Sequence, residues 1–420
     1  MVGSRDQGER KHPTLRIKGK KSSSLCGKTI VLGVTGSIAA VKTVELAREL
    51  IRNGADVYAV MSEAAMEIIH PYTLEYATGH EVITKLMGKI EHVEFLGMEG
   101  FADLFLIAPC TANTLNKIAT GVSDTTVTAF ATTAFGSQIP IVIVPAMHET
   151  IYRNPVLREN IRKLKKLGVE VVEPRIEEGL AKMASIEDII LRVERKLSER
   201  VLEGKRILIT GGPTIEPIDP IRILTNRSSG KTGMELAKEA FRQGAEVTLI
   251  HSKTLGFEGI KEIQVETAAE MTDACIEELE RAASEGRAYD ALISSAAISD
   301  FKAEFVERKM PSNKEYLLRL TPNRKLIEEV RRKFPSLFIV AFKAEANVSV
   351  DELLERSREK MEALNLDVVV ANDVGKGGIG TEENDVFILR RDSNAVEHVC
   401  GLKREIAAVL IKIVAEMLNA

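Results

Sequence analysis

The stretch TIVLGVTGSIAAVKTVELARELIRNGADVYAVM, residues 29–61, contains a β-branched run, a glycine turn, an amphipathic helix and a second apolar strand after Asn53-Gly54-Ala55-Asp56. The same plan returns at 206–250, where RILIT is the strand and GKTGMELAKEAFRQGAEVTLI supplies the helix and the next strand. A strand, a helix and a second strand of this length imply parallel pairing through a right-handed crossover. Short apolar runs continue in both halves, LFLIAP and IPIVIVPA in the first, ALISSA, LFIVAF and DVVVAN in the second. The expected fold is therefore α/β, with two doubly wound parallel-sheet (Rossmann-like) domains and ligand sites at the carboxyl ends of the strands.

The charged helix SIEDIILRVERKLSERVLEGK at 185–205 separates the two plans. Domains are expected at 27–195 and 205–420, after a basic tail at 1–26 that is too polar to pack. At 420 residues the chain exceeds one ordinary core, since domains usually run to about 100–200 residues. A net charge of −4 gives no reason to expect nucleic acid as a partner. No apolar run reaches the roughly 20 residues that cross a bilayer, and the tail lacks the apolar segment of a signal peptide. Cys26, Cys110, Cys275 and Cys400 form no CxxC pair, which argues against a zinc site or a disulfide framework and for a cytoplasmic protein.

Neither opening turn suits a dinucleotide. GVTGS lacks the full G-x-G-x-x-G, and the second strands end at Met61-Ser62 and His251-Ser252 where a ribose-binding acid is needed. TNRSSGKT at 225–232 is one letter short of a P-loop, with Thr225 in place of glycine. A P-loop follows its strand directly, whereas GGPTIEPIDPIRILTN intervenes here after Thr210. The segment reads instead as a helix start near Lys231 whose free N–H groups face an anion, or one capped by Ser228 and Ser229.

ITGGPTIEPIDPIRILTNRSSGKTG at 209–233 resembles the opening of phosphopantothenate–cysteine ligases. SSAAISDF (294–301), ERKMPS (307–312), IVAFKAE (339–345) and LDVVVANDV (366–374) follow in the order of that family. The first half resembles the flavodoxin-like phosphopantothenoylcysteine decarboxylases through GVTGSIAAVK (33–42), HVEF (92–95), APCTANTLNKIATG (108–121) and PAM (145–147). Decarboxylase followed by ligase is the order of the bifunctional coenzyme A biosynthesis family.

That resemblance implies ligation of 4′-phosphopantothenate with L-cysteine through an acyl-cytidylate, with CTP as co-substrate and Mg2+. It then implies decarboxylation of 4′-phosphopantothenoylcysteine to 4′-phosphopantetheine, with FMN making the thiol end an electron sink. His92, Asn226 and Lys309 match catalytic positions; Gly36, Ser37, Ser62, Thr111, Ala112, Asn113, Thr114 and Ala146 match flavin-contacting ones. Met147, His148, Lys182, Arg222, Gly211, Gly212, Ala297, Asp300, Pro322, Asn323, Phe342 and Lys360 match substrate- or nucleotide-binding positions; metal ligands are not identified. Two departures concern the first half. His148 replaces an Asn that binds the substrate carboxylate, and EPRIEEGLAKMAS (173–185) stands where the family has a flap with a proton-donating Cys. Lys182 and Cys110 are the candidate substitutes for that Cys, and Leu364 replaces a second nucleotide-binding Lys. The missing Cys leaves open a ligase-only chain with an inactive flavin-binding domain. The family also implies a homo-oligomer, trimeric through decarboxylase domains and dimeric through ligase domains, hence a dodecamer; neither nucleic acid nor membrane is an implied partner.

Overall fold

The computed structural model describes residues 12–313, 315–375 and 377–420. Contacts divide the chain into two compact units, Met1–Ser198 and Glu199–Ala420. In the first unit the strands are β1 (Thr29–Val34), β2 (Asp56–Met61), β3 (Leu104–Cys110), β4 (Ile141–Pro145), β5 (Met147–His148), β6 (Glu170–Val171), β7 (Arg175–Glu177) and β8 (Leu180–Lys182). Its principal helices are α1 (Thr43–Arg52), α2 (Glu91–Leu96), α3 (Ala112–Thr120), α4 (Thr126–Gly136), α5 (Pro155–Lys166) and α6 (Ile186–Leu197). The main sheet runs β2-β1-β3-β4-β6 with every pairing parallel.

Alternation along the strands explains why both faces are covered. Ile30, Leu32 and Val34 with Leu104 and Leu106 enter one core beside Leu46, Leu50 and Ile189. Val31, Phe105 and Ile107 enter the other beside Leu115, Phe130 and Leu157. A strand buried on both faces reads as a continuous apolar run, and these do. Full burial of each such side chain contributes about 1.5–3 kcal/mol.

The helix expected directly after the first turn starts later than the apolar pattern suggests. Residues 38–42 form a 3-10 turn capped by Ser37, and the α-helix begins at Thr43. Ile38 and Val41 are exposed in that turn instead of joining the core. The expected tail is also shorter. Residues 1–11 lie outside the described residues, but 12–26 pack on the first unit. Thr14 Oγ1 donates to the Tyr76 carbonyl at 2.8 Å, Lys18 pairs with Asp56 at 2.6 Å and Leu25 is fully buried. These anchors lie among lysines and serines, so local composition hides them.

The second unit contains β9 (Arg206–Gly211), β10 (Ile215–Pro217), β11 (Ile223–Thr225), α7 (Lys231–Arg242), β12 (Glu246–His251), β13 (Ile260–Gln264), α8 (Ala268–Ser284), β14 (Ala291–Ser294), β15 (Phe301–Ala303) and β16 (Leu320–Pro322). After these come α9 (Leu326–Lys333), β17 (Phe338–Glu345), α10 (Val350–Ala363), β18 (Val368–Asp373), β19 (Glu383–Arg390), β20 (Val396–Leu402) and α11 (Lys403–Asn419). Its sheet order is β13-β12-β9-β14-β17-β18-β19-β20. The first six strands are parallel, in the doubly wound order 3-2-1-4-5-6. The last two are an antiparallel hairpin added at one edge. In both units the order reverses beside the opening strand, at β1/β3 and at β9/β14, which opens a crevice at the carboxyl ends there. Among the described residues no helix is long and apolar enough to cross a membrane.

Candidate functional site

At the β1/β3 reversal the loops are stitched rim to rim. Thr35 Oγ1 donates to the Pro109 carbonyl at 2.8 Å and accepts the Thr111 N–H at 3.0 Å. Gly36 and Ser37 follow β1, and Thr111, Ala112, Asn113 and Thr114 follow β3, so this stitch brings the two predicted groups to one rim. Ser62, after β2, donates its N–H to the Val34 carbonyl at 3.1 Å; Ala146, after β4, donates its N–H to the Cys110 carbonyl at 3.1 Å. The hydroxyls of Ser37, Ser62 and Thr111 each cap a helix, accepting from Ala39, Ala65 and Thr114 N–H groups. A hydroxyl that accepts one bond still has a proton to donate, so capping does not exclude a ligand. A Cβ on Gly36 would lie 2.5 Å from the Ala64 Cβ, so this turn closes only around glycine.

His92 sits on α2, which packs on α4, with its ring centroid 6.3 Å from that of Phe130. Its Nδ1 is buried and has no hydrogen-bond partner among the described residues, which is uncommon for a polar atom inside a protein. No hydrogen bond or ring contact joins it to the Thr35–Thr111 rim among the described residues. These features fit a flavin-type group, with N–H donors and hydroxyls at a switch point, a glycine-closed turn and an unsatisfied imidazole nitrogen.

The segment 173–185 contains a hairpin, β7 and β8, and β8 pairs antiparallel with β5. Met147 lies opposite Ala181 and His148 opposite Leu180. Neither substitute for the missing Cys suits proton donation. Lys182 is held by Glu178 at 2.6 Å and Glu177 at 3.2 Å, and these carboxylates raise its pKa above the ordinary lysine value. Cys110 is sealed in the core, and burial pushes its thiol far above the usual range.

In the second unit a cavity of about 940 Å³ opens at the β9/β14 reversal and extends past β17. It gathers Asn226, Ala297, Asp300, Phe342 and Lys360 from the predicted set. The Asn226 amide donates to the carbonyls of Ala297 (3.1 Å) and Ile298 (3.3 Å), tying the loop before α7 to the loop after β14. Arg227, Lys231, Arg324, Lys325, Lys343, Lys360 and Lys403 line the cavity against Asp300 and Glu328, so its field is positive. Burial, with the charges of Lys343 and Lys325, pulls the pKa of Lys360 below the ordinary value; its ammonium donates to the Phe342 carbonyl at 3.2 Å. Lys403 is likewise lowered by burial and by Lys231, and donates to the Thr381 carbonyl at 2.6 Å. Lys231 pairs with Glu382, and Lys325 with Asp300 at 2.5 Å.

Both helices that start on this cavity, α7 and α9, begin at Gly230 and Lys325 without a side-chain cap. The alternative reading of Ser228 and Ser229 as caps therefore fails. Ser228 Oγ accepts the Gly230 N–H, at 3.3 Å, one residue before the helix.

Other predicted residues are used differently. Arg222 is turned away, bound to Asp219 and, at 3.1 Å, to the Met310 carbonyl. Burial would raise the Asp219 carboxyl, but N–H donors from Met310, Ile221 and Arg222 and the Arg222 guanidinium hold it far below the usual range. Lys309 is exposed beside this anchor and does not line the cavity. A Cβ on Gly233 would lie 2.7 Å from the Gly211 Cα, so Gly211 admits α7 against β9. A Cβ on Gly212 would lie 3.0 Å from the Ser252 Oγ, and one on Gly230 3.2 Å from the Gly212 Cα. Pro322 is exposed in the β15–β16 ribbon, and the buried Asn323 amide holds the Ser299 carbonyl at 3.0 Å. Sequence reasoning missed Asp219, Arg324, Lys325, Lys343 and Lys403. Lys403 opens the last helix, far along the chain from Lys231, and no local signal links the two.

Two α/β units with open switch points define a two-domain protein, with features that fit a flavin in one unit and a cationic cavity that suits a polyanion in the other. Residues 18–198 match the flavoprotein family, and residues 202–418 match the DNA/pantothenate metabolism flavoprotein C-terminal domain family. A coenzyme A biosynthesis bifunctional protein (CoaBC) of Thermococcus kodakarensis is 50% identical over 91% of this chain and 93% of its own length. That of Methanocaldococcus jannaschii is 39% identical over 97% and 98%. A crystal structure of a CoaBC C-terminal domain is 30% identical, covering 53% of this chain and 99% of that one, with a TM-score of 0.43. The chain belongs to the bifunctional coenzyme A biosynthesis proteins and is an enzyme of that pathway, with a decarboxylase domain followed by a ligase domain.

Proposed function

We propose that the chain converts 4′-phosphopantothenate and L-cysteine to 4′-phosphopantetheine with CTP, Mg2+ and FMN. The observation that carries this reading is the cationic cavity of about 940 Å³ onto which α7 and α9 open uncapped. An uncapped helix start offers N–H donors and a positive dipole end to phosphate oxygens. A carboxylate is a poor electrophile until it is attached to a nucleotide phosphate. Lys231, Lys403 and the α7 N–H groups bind the phosphates, and Lys360 with Phe342 borders the nucleoside. Asn226 positions the acyl group, and Lys309, which lies outside the cavity here, would have to approach it to assist attack by the cysteine amine. Charge neutralisation at the transferring phosphate is the main catalytic term.

Among the described residues no group of three or more His, Cys, Asp or Glu side chains is placed to hold a metal. Asp300 is the cavity carboxylate that would meet Mg2+, which would neutralise charge on the triphosphate. In the first domain Gly36, Ser37, Ser62, Thr111, Ala112, Asn113, Thr114 and Ala146 hold FMN, which supplies the reversible two-electron oxidation that makes CO2 loss possible. His92 acts as base or electrostatic partner, and Met147 borders the substrate. The protein works in the cytoplasm as a homo-oligomer, a dodecamer of trimeric first domains and dimeric second domains.

The test is direct. Purified protein is yellow and turns 4′-phosphopantothenate, cysteine and CTP-Mg into 4′-phosphopantetheine with CO2. Accumulation of 4′-phosphopantothenoylcysteine would leave only the ligase, and no product from any nucleoside triphosphate would sink the proposal.

A further inference from the structure

If the first domain is the decarboxylase proposed for it, its reaction needs a proton donor in addition to the base or electrostatic partner already assigned to His92. The carbon that loses CO2 ends as a CH2 group, so it must gain a proton. The neighbouring carbon, which bears the sulfur, gains the hydride equivalent held by the reduced cofactor. A proton donor effective near neutral pH is needed beside the first carbon.

The β7–β8 hairpin and its dock on β5 narrow the choice. Its tip residues Glu178 and Gly179 have φ of 53° and 73°, the geometry of a tight two-residue hairpin loop. Across the ribbon Glu177 lies opposite Leu180 and Arg175 opposite Lys182. Side chains alternate along a strand, so His148, Leu180, Glu177, Lys182 and Arg175 share one face. Met147, Ala181 and Ile176 share the other, and Ala181 belongs to the core. His148 therefore stands on the outward face. It is two residues from Ala146, whose N–H is bound to Cys110 at the crevice rim.

The other titratable groups here are occupied. Lys182 is pinned between two carboxylates, and Cys110 is sealed in the core. Tyr152 binds Glu173, and burial with that carboxylate pushes its hydroxyl upward. Arg175 pairs with Glu177, and Arg153 pairs with Glu149 at 2.6 Å. His148 is exposed, and its ring carries no hydrogen bond or ion pair among the described residues.

We propose that His148 is the proton donor of the decarboxylase domain, protonating the carbon vacated by CO2 and recovering its proton from water. One residue then accounts both for the histidine after Pro145-Ala146-Met147 and for a hairpin without a cysteine. Imidazole is the side chain most often used to give and take protons in enzymes, which suits this role.

The test uses the full chain with FMN and His148→Asn, which keeps a hydrogen-bonding amide but has no transferable proton. On 4′-phosphopantothenoylcysteine the variant should still release CO2, while formation of saturated product falls about 100-fold or more. With substrate no more than equimolar to FMN, a species two hydrogens lighter, the enethiol, is left together with reduced flavin, and the two are read by mass spectrometry and by loss of visible absorbance. Flavin absorbance and melting temperature confirm that the variant is folded. A readout independent of turnover is the His148 ring resonance of flavin-free protein, assigned by its loss in His148→Asn; it should shift when FMN is added. Saturated product at the wild-type rate, loss of CO2 release with flavin still bound, or a ring resonance unmoved by FMN would each overturn the assignment. Absence of CO2 from the wild type would instead remove the decarboxylase reading on which it rests.

Discussion

Lys360 and Lys403 are partly or wholly buried cations, and each ammonium donates to a backbone carbonyl. A buried charge that lacks a close counter-ion is costly, and that cost is recovered when an anion enters the cavity. Lys360→Gln should raise the KM for CTP by about 10–100-fold, the usual range for a lost charged hydrogen bond. The sign of the pH effect follows from the lowered pKa. The ammonium loses its proton sooner than a free lysine as pH rises, so nucleotide affinity falls earlier on the alkaline side. Lys360→Arg should flatten that arm in initial-rate measurements. At the other switch point, Gly36→Ala places a methyl against Ala64. The variant should lose bound flavin on desalting, seen as loss of its visible absorbance, while its ligase rate is unchanged. Roles carried by residue type were legible: a glycine in a tight turn and a Ser or Thr before a helix. Arg222 was not, because the Asp219 it turns toward is itself placed by Met310, a residue well outside the motif.

Packing of α7 on β9 depends on Gly233 reaching Gly211. Gly233→Ala overpacks that crossing and should cost about 1–3 kcal/mol, measured as a lower urea midpoint for the second domain, with CTP binding weakened in parallel. On α8, Glu278 is bound by Arg281, Lys261 and Tyr289. Burial opposes ionisation, but these donors hold the carboxyl at about 2. Its folded pKa lies below its unfolded one, so the stability it adds is present above pH 4.5 and is lost as pH falls toward 2. Glu278→Gln should be less stable at pH 7, with a shallower loss of stability across that acid window in denaturant titrations. The βαβ elements could be read from apolar period alone. The β7–β8 hairpin and the β19–β20 ribbon could not, since their strands are short or exposed on one side and their pattern depends on the strand they dock against.

Each of the two units has its own core. Residues 1–198 and 199–420, produced separately, should therefore each fold. The first should be yellow and indifferent to CTP, and the second colourless and able to form 4′-phosphopantothenoylcysteine; absorbance and product mass check this. Order along the chain determined a great deal by itself: two βαβ openings, the divide between them, the absence of an acidic ribose ligand and the succession of motifs. All of these depend on period and spacing, which are local properties. Only the tertiary structure decided that Lys403 joins Lys231 across one cavity, that α7 and α9 start uncapped on it, that Gly211 serves helix packing, and that His148 shares a face with the hairpin. Those facts depend on strand order and register between segments far apart in the chain, and no local pattern encodes which distant partner a residue will meet.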